Sequence, residues 1–209
     1  MIKILIVDDH MIFREGIKKV LAAASGIKVA GEAGNGNEAL RALKRNHYDV
    51  VLQDLSLPDM EGLDLLSHIK NHNPDLPVLI LSFYPEDQYA VRVLKEGASG
   101  YLTKESVPND LIHAIRKAAE GGKYISATLG ESLAGSVTGE KEGRPHELLS
   151  SREFQIFSMI AAGKSVKEMA YELSIARTTI TSYRSRIFEK LNFKTNADLI
   201  RYAVENRIV

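Results

Sequence analysis

VVLQDLSLPD, residues 50–59, decides the fold. Three apolar residues, rich in β-branching, lead into Gln53 and then Asp54, and Pro58 marks the turn that follows. A short apolar run bounded by turn residues reads as a strand covered on both faces. Four more such runs lie on either side of it: IKILIV (2–7), KVAGEA (28–33), PVLILS (77–82) and SGYLTK (99–104). Helical periods fall between them. The first places Ile12, Ile17, Val20 and Leu21 on one face, and others cover roughly 37–46, 62–72, 87–96 and 108–120. Five strands alternating with five helices imply right-handed crossovers and a parallel, doubly wound α/β sheet with helices on both sides.

At 209 residues the chain is long enough for one large or two small domains, and at 44% hydrophobic and 26% charged it can bury a core. MIKILIVDDH is too short an apolar run for a signal peptide, and no window approaches a membrane span. With no cysteine, disulfides and thiolate metal sites are excluded. The expected location is the cytoplasm.

The formal charge of zero conceals an asymmetry. Residues 1–124 carry 15 basic and 17 acidic side chains, residues 125–147 carry 2 and 4, and residues 148–209 carry 10 and 6. A basic C-terminal third hints at a polyanionic partner, although a solvated helical surface can look the same.

Residues 122–147 break the α/β pattern with five glycines and a proline, and read as a linker with a short helical turn near 127–134. Beyond it the period is helical over 150–162, 165–173, 177–191 and 195–206. Ser150 and Glu153 suggest an N-terminal cap, and Gly163 a C-terminal stop.

Chemistry in a parallel sheet collects at the carboxyl ends of its strands. Here those ends carry Asp8 and Asp9 (strand one), Asp54 (strand three), Ser82 (strand four), and Tyr101 followed by Lys104 (strand five). One aspartate at a strand end is usually a turn or cap residue. Carboxylates converging from separate strands repel, and a hard cation such as Mg²⁺ with oxygen ligands offsets that repulsion. Lys104 adds a point charge on a flexible stem.

Residues 1–121 resemble the receiver domain of two-component response regulators, through LIVDDH, LQDLSLPDMEG, ILS and GYLTK. The resemblance implies a flavodoxin-like fold and makes Asp54 the acceptor of a phosphoryl group from a sensor histidine kinase. It implies Mg²⁺ held by Asp9, Asp54, the Ser56 backbone carbonyl, and Asp8 through water. It also implies that Ser82 and Lys104 contact the phosphoryl oxygens, and that Tyr101 fills space vacated when Ser82 moves. Tyr101 as a plain sheet aromatic is the alternative. Pro58 and Gly62 shape the loop after Asp54, Asp59 reads as a turn former, and His10 as a surface histidine at a helix start.

Residues 148–209 resemble the LuxR-type helix-turn-helix domain of the NarL/FixJ regulators, a four-helix all-α unit, over LSSREFQIFSMIAAGKSVKEMAYELSIARTTITSYRSRIFEKLNFKTNADLIRYAV. Apart from the resemblance, helices 165–173 and 177–191 joined by Leu173-Ser174-Ile175-Ala176 have the spacing of a helix-turn-helix. Ile180, Ile187 and Leu191 recur at core spacing. The opposite face carries Thr178, Thr181, Ser182, Ser185 and Glu189, flanked by Arg177, Arg184 and Arg186. Small hydroxyls permit close approach to bases, while arginines reach phosphate or guanine. Lys164, Lys167 and Lys194 are expected on backbone phosphates. Many family members have Val-Lys-x-His where this chain has Ile180-Thr181-Ser182-Tyr183, so the operator sequence does not carry over. The last helix, 195–206, either pairs two copies or closes the bundle with Leu199, Tyr202 and Ala203.

The expectation is a phosphorylation-dependent transcription regulator that dimerises on double-stranded promoter DNA and works with RNA polymerase. The rival class is a Mg²⁺-dependent phosphatase-like enzyme. A haloacid-dehalogenase type would need Asp-x-Asp after strand one, which Asp8-Asp9-His10 does not supply. Gln53 departs from the apolar residue common at its place. By strand alternation it should point under a helix, find a helix or backbone partner there, and take no part in phosphoryl transfer.

Overall fold

The structure, a computed structural model, describes residues 1–84, 86–127, 129–130, 145–173, 175–206 and 208. The chain divides into two compact units, Met1–Thr138 and Gly139–Val209.

The first unit is a parallel sheet in the order β2-β1-β3-β4-β5. Its strands are β1 (Ile2–Val7), β2 (Ile27–Ala33), β3 (Val50–Asp54), β4 (Val78–Ser82) and β5 (Gly100–Thr103). Five helices alternate with them: α1 (Met11–Ala22), α2 (Gly36–Arg45), α3 (Gly62–His72), α4 (Glu86–Lys95) and α5 (Val107–Ala119). The order reverses between β1 and β3, so the strand ends carrying the acids flank the crevice that such a switch point opens.

Burial follows position in the sheet. Strands β3 and β4 are buried at every residue, whereas edge strand β2 is only partly covered along most of its length. Alternation then sorts the side chains. Ile4, Ile6, Val50, Leu52, Leu79 and Leu81 share one core with Ile17 and Leu21 of α1 and with Leu111, Ala114, Ile115 and Ala118 of α5. Burying each of the Ile, Val and Leu side chains contributes roughly 1.5–3 kcal/mol, and each alanine less. Val51 and Gln53 therefore belong to the other face, towards α3.

The stretch expected as a linker starts on the sheet. Tyr124 bridges to Gly100 in parallel, its N–H donates to the Ser99 carbonyl at 2.7 Å, and its ring is buried. Ser126 Oγ donates to Glu86 Oε2 at 2.5 Å, and Leu129 is buried. Of the helical turn expected near 127–134, Gly130 N–H donates to the Ser126 carbonyl. Thr128 and residues 131–134 lie outside the described residues.

The second unit has a 3₁₀ turn (Pro145–Leu148) and helices α6 (Ser151–Ala161), α7 (Val166–Glu172), α8 (Arg177–Lys190) and α9 (Asn196–Glu205). Three of these helices begin with a reciprocal capping box: Ser150 with Glu153, Ser165 with Glu168, and Thr195 with Asp198. Each box satisfies two backbone donors that a helix start otherwise leaves orphaned. Helix α6 is followed, after the cap residue Ala162, by Gly163, which adopts φ +80, a conformation that favours glycine. Phe157, Ile180, Ile187, Leu199 and Ala203 are fully buried and form the bundle core.

Candidate functional site

Strand β3 ends on Asp54, whose side chain is 3% exposed. Its Oδ1 accepts the Ser56 N–H at 3.0 Å, and its Oδ2 accepts from Lys104 Nζ at 2.7 Å. Lys104 arrives from the end of β5, its own N–H bound to the Ser82 carbonyl at 2.7 Å. The same ammonium lies 2.7 Å from Asp8 Oδ2. Asp8 Oδ1 accepts the His10 N–H at 2.7 Å, and His10 Nδ1 lies 2.7 Å from Asp9 Oδ1. Three strand ends thus place two buried carboxylates around one buried ammonium, with Asp9 half-exposed beside them.

Burial pushes the Asp54 carboxyl up to about 6, opposed by Lys104 and reinforced by the Asp8 charge. One ammonium faces two buried carboxylates, so when both are ionised the pocket keeps a net negative charge. Asp8 Oδ2 meets that ammonium as an ion pair, without the alignment of a hydrogen bond. Donor atoms of Asp8, Asp9, His10 and Asp54 lie within 4.8 Å of one another. An oxygen-rich donor set with excess negative charge, whose two buried carboxylates share a single ammonium, fits a hard divalent cation.

Ser82 and Tyr101 come together on the side of β4 and β5. Ser82 Oγ accepts the Tyr84 N–H at 3.1 Å, and the Tyr101 hydroxyl donates to the Tyr84 carbonyl at 2.8 Å. Tyr101 is fully buried, and burial raises its phenol pKa. Its ring lies inward, and Ser82 and Tyr101 are both tied to the Tyr84 backbone.

Neighbouring residues fix the loop around Asp54. Gln53 is buried and its Nε2 donates to the Gly62 carbonyl at 2.6 Å, the helix partner expected from alternation, while its Oε1 has none. Asp59 does more than form a turn. Its carboxylate accepts the N–H groups of Gly36 and Asn37 at 2.8 and 2.9 Å, tying the loop to the start of α2. His10 does precede helix α1 and is more than half exposed.

In the second unit α7 and α8 flank Leu173, Ile175 and Ala176, with Ser174 outside the described residues. On α8, Arg177, Thr178, Thr181, Ser182, Ser185 and Arg186 are exposed, opposite buried Ile180 and Ile187. Thr181, Ser182 and Ser185 donate their hydroxyls back to carbonyls one turn earlier, leaving the oxygens free to accept. Arg184 is half-buried: its Nη2 donates to Asn196 Oδ1 at 3.0 Å and its guanidinium lies 4.9 Å from the Phe188 ring centre. Arg186 stands outward beside Tyr183. Lys164 pairs with Glu172, while Lys167 and Lys194 are exposed. Tyr202 packs against Phe157, Phe193 and His146, as a bundle-core residue would.

Residues 4–116 match the response regulator receiver domain family, and residues 147–203 match the bacterial regulatory proteins of the luxR family. The chain belongs to the LuxR-type response regulators. It is 37% identical over 207 residues to the response regulator UvrY of Escherichia coli K12, covering 99% of this chain and 95% of that protein. It is 36% identical to the response regulator GacA of Pseudomonas syringae, covering 100% and 98%. A solved structure of RcsB from Salmonella enterica serovar Typhimurium, bound to promoter rprA with the phosphomimetic BeF₃⁻, shares 27% identity at TM-score 0.65 over 96% of this chain and 97% of that one. As a member of this family the regulator is a phosphorylation-dependent, DNA-binding transcription factor.

Three residues at the regulator's carboxylate centre escaped the sequence reading. Arg14 Nη1 donates to the Asp8 carbonyl and its Nε to Glu32 at 3.2 Å, holding the β1–α1 turn. Phe13 and Phe83 place their rings 4.6 and 4.8 Å from Lys104 Nζ. The available signal was an aromatic side chain directly after Ser82, where a strand end leaves it little core to fill. No helix among the described residues is long and apolar enough to cross a membrane.

Proposed function

We propose that Asp54 is the phosphoacceptor and that a sensor histidine kinase is its donor. The observation that carries this reading is the Asp8–Lys104–Asp54 arrangement, in which the acceptor carboxylate is buried, oriented by the Ser56 N–H, and held against an ammonium. One Asp54 oxygen attacks the phosphorus of a phosphohistidine, the P–N bond breaks, and the imidazole leaves with the electron pair. Lys104 Nζ meets the negative charge arriving with the phosphoryl group, and the Ser82 hydroxyl, at the end of the adjacent strand, donates to one of its oxygens. Asp8, Asp9, Asp54 and the Ser56 carbonyl would hold Mg²⁺, which supplies charge neutralisation and orientation of the phosphoryl oxygens. The chain is then a stoichiometric acceptor, not a turnover enzyme.

Read this way, residues 1–121 are the receiver, 122–147 the connection and 148–209 the DNA-binding domain. Phosphorylation stabilises the arrangement of Ser82 and Tyr101 and remodels the face made by α4, β5 and α5, favouring a homodimer that occupies two half-sites. Moving such a switch from mostly off to mostly on needs about 5 kcal/mol of differential stabilisation. RcsB dimers have been solved on DNA, which supports the same assembly here. On α8, exposed Thr178, Thr181, Ser182 and Ser185 approach base edges, with Arg177 and Arg186 beside them. Lys164, Lys167 and Lys194 take backbone phosphates. Arg184, engaged by Asn196, contributes mainly to the field. A cytoplasmic site of action and contact with RNA polymerase complete the proposal.

Incubating the full chain with a small phosphodonor and Mg²⁺ tests it. A stoichiometric, acid-labile adduct absent from Asp54→Asn is expected; repeated turnover on a phosphoester, or labelling that survives the substitution, would overturn it.

A further inference from the structure

Phe83 is two-thirds exposed, so it contributes little to the core, yet it sits over the most buried cation of the site. The Lys104 side chain is 1% exposed. Two of its flanks are the Asp8 and Asp54 carboxylates, each at 2.7 Å. The rings of Phe13 and Phe83 lie against it at 4.6 and 4.8 Å, tilted 53° to one another, and His10 meets Phe83 edge-on at 6.3 Å. An aromatic face attracts an ammonium and also displaces water from it. We propose that Phe83, closing with Phe13 over Lys104, is an aromatic roof that keeps water from the phosphoryl group on Asp54 and so sets its lifetime. This rests on Asp54 being the phosphoacceptor.

The step controlled is hydrolysis of an acyl phosphate. A water oxygen attacks phosphorus, the bond from phosphorus to the Asp54 oxygen breaks, and the carboxylate leaves with the electron pair. Both water hydrogens remain on the released dihydrogen phosphate, so the reaction needs no further reagent. Excluding water from a reactive intermediate slows this route, and the same cover hinders entry of a small phosphodonor. Phe83 is a positioning residue: it touches the lysine, not the reacting atoms.

The roof and a simple lysine prop predict opposite signs. If Phe83 only held Lys104 in place, removing it would leave less positive charge at the phosphoryl oxygens and slow both phosphorylation and hydrolysis. If it excludes water, removal speeds hydrolysis and admits small donors faster. The experiment phosphorylates full-length wild type, Phe83→Ala and Phe83→Tyr with acetyl phosphate and Mg²⁺, removes the donor, and follows loss of the adduct. Phe83→Ala should lose its phosphoryl group about tenfold faster and acquire it faster, while Phe83→Tyr, which keeps the ring, stays near wild type. Loss in Phe83→Ala at the wild-type rate or slower refutes the roof while leaving the phosphoacceptor intact. Failure of the wild type to be labelled at Asp54 refutes both.

Discussion

Asp54→Asn should make the receiver more stable at neutral pH. Burial carries the Asp54 carboxyl from its ordinary 3.8 to about 6, so the folded state prefers this group protonated. A raised carboxyl binds its proton more tightly folded than unfolded, and folding stability falls as pH rises between about 4 and 6. Above that window the penalty levels off at about 3 kcal/mol, since each pH unit corresponds to about 1.4 kcal/mol. Asparagine resembles the protonated acid in shape and charge, leaves Lys104 paired with Asp8, and abolishes the titration. We expect a gain of about 1–3 kcal/mol at pH 7.5 that shrinks towards zero near pH 4. Calorimetry of the intact chain in chelator measures it, with the receiver transition recognised as the one that added Mg²⁺ shifts in the wild type. A gain independent of pH would point to packing instead, and a loss at pH 7.5 would show that attraction to Lys104 outweighs burial. Either result refutes the argument.

Four other substitutions probe the loop around Asp54 and the DNA-facing helix. Gln53→Leu removes a buried carbonyl oxygen without a partner, worth about 1–3 kcal/mol, and forfeits one hydrogen bond of about 1 kcal/mol. Urea titration should find the variant at least as stable as wild type, with unchanged Asp54 labelling, and a loss above about 2 kcal/mol would reject the assigned partner. Gly62→Ala puts a methyl group 2.4 Å from the Leu55 carbonyl oxygen, against backbone that cannot swing aside. It should cost about 1–3 kcal/mol by the same titration and slow phosphorylation by moving the loop that bears Ser56. On the DNA side, Arg186→Ala should weaken duplex binding and flatten its log–log salt slope by about 0.9, with Arg184→Ala doing less because Asn196 already engages that side chain. Equal effects in a salt series would mean that the Arg184 contact is released on DNA.

Strand and helix order could be read directly because each run carries its own period. VVLQD opens on three apolar residues without alternation, as a doubly covered central strand does, and β2, at the sheet edge, is only partly covered along most of its length. Residue types at strand ends likewise located Asp8, Asp54, Ser82 and Lys104, because a parallel sheet gathers those ends on one edge. Helix starts were legible where the capping pair is local, as with Ser150 and Glu153. Pairings across long sequence separations were not. No period announces that Asp59 binds the start of α2, that Tyr124 returns to Gly100, or that Asn196 engages Arg184.

The amino-acid sequence by itself determined the alternating topology, the family and the chemical identity of the acidic centre, since these depend on local period and residue type. Tertiary structure alone decided the charge balance around Asp54, the interior position of Tyr101 and the aromatic cover on Lys104. Each of these is a distance between groups on different strands and helices, and burial and Coulomb energies depend on that distance and not on separation along the chain.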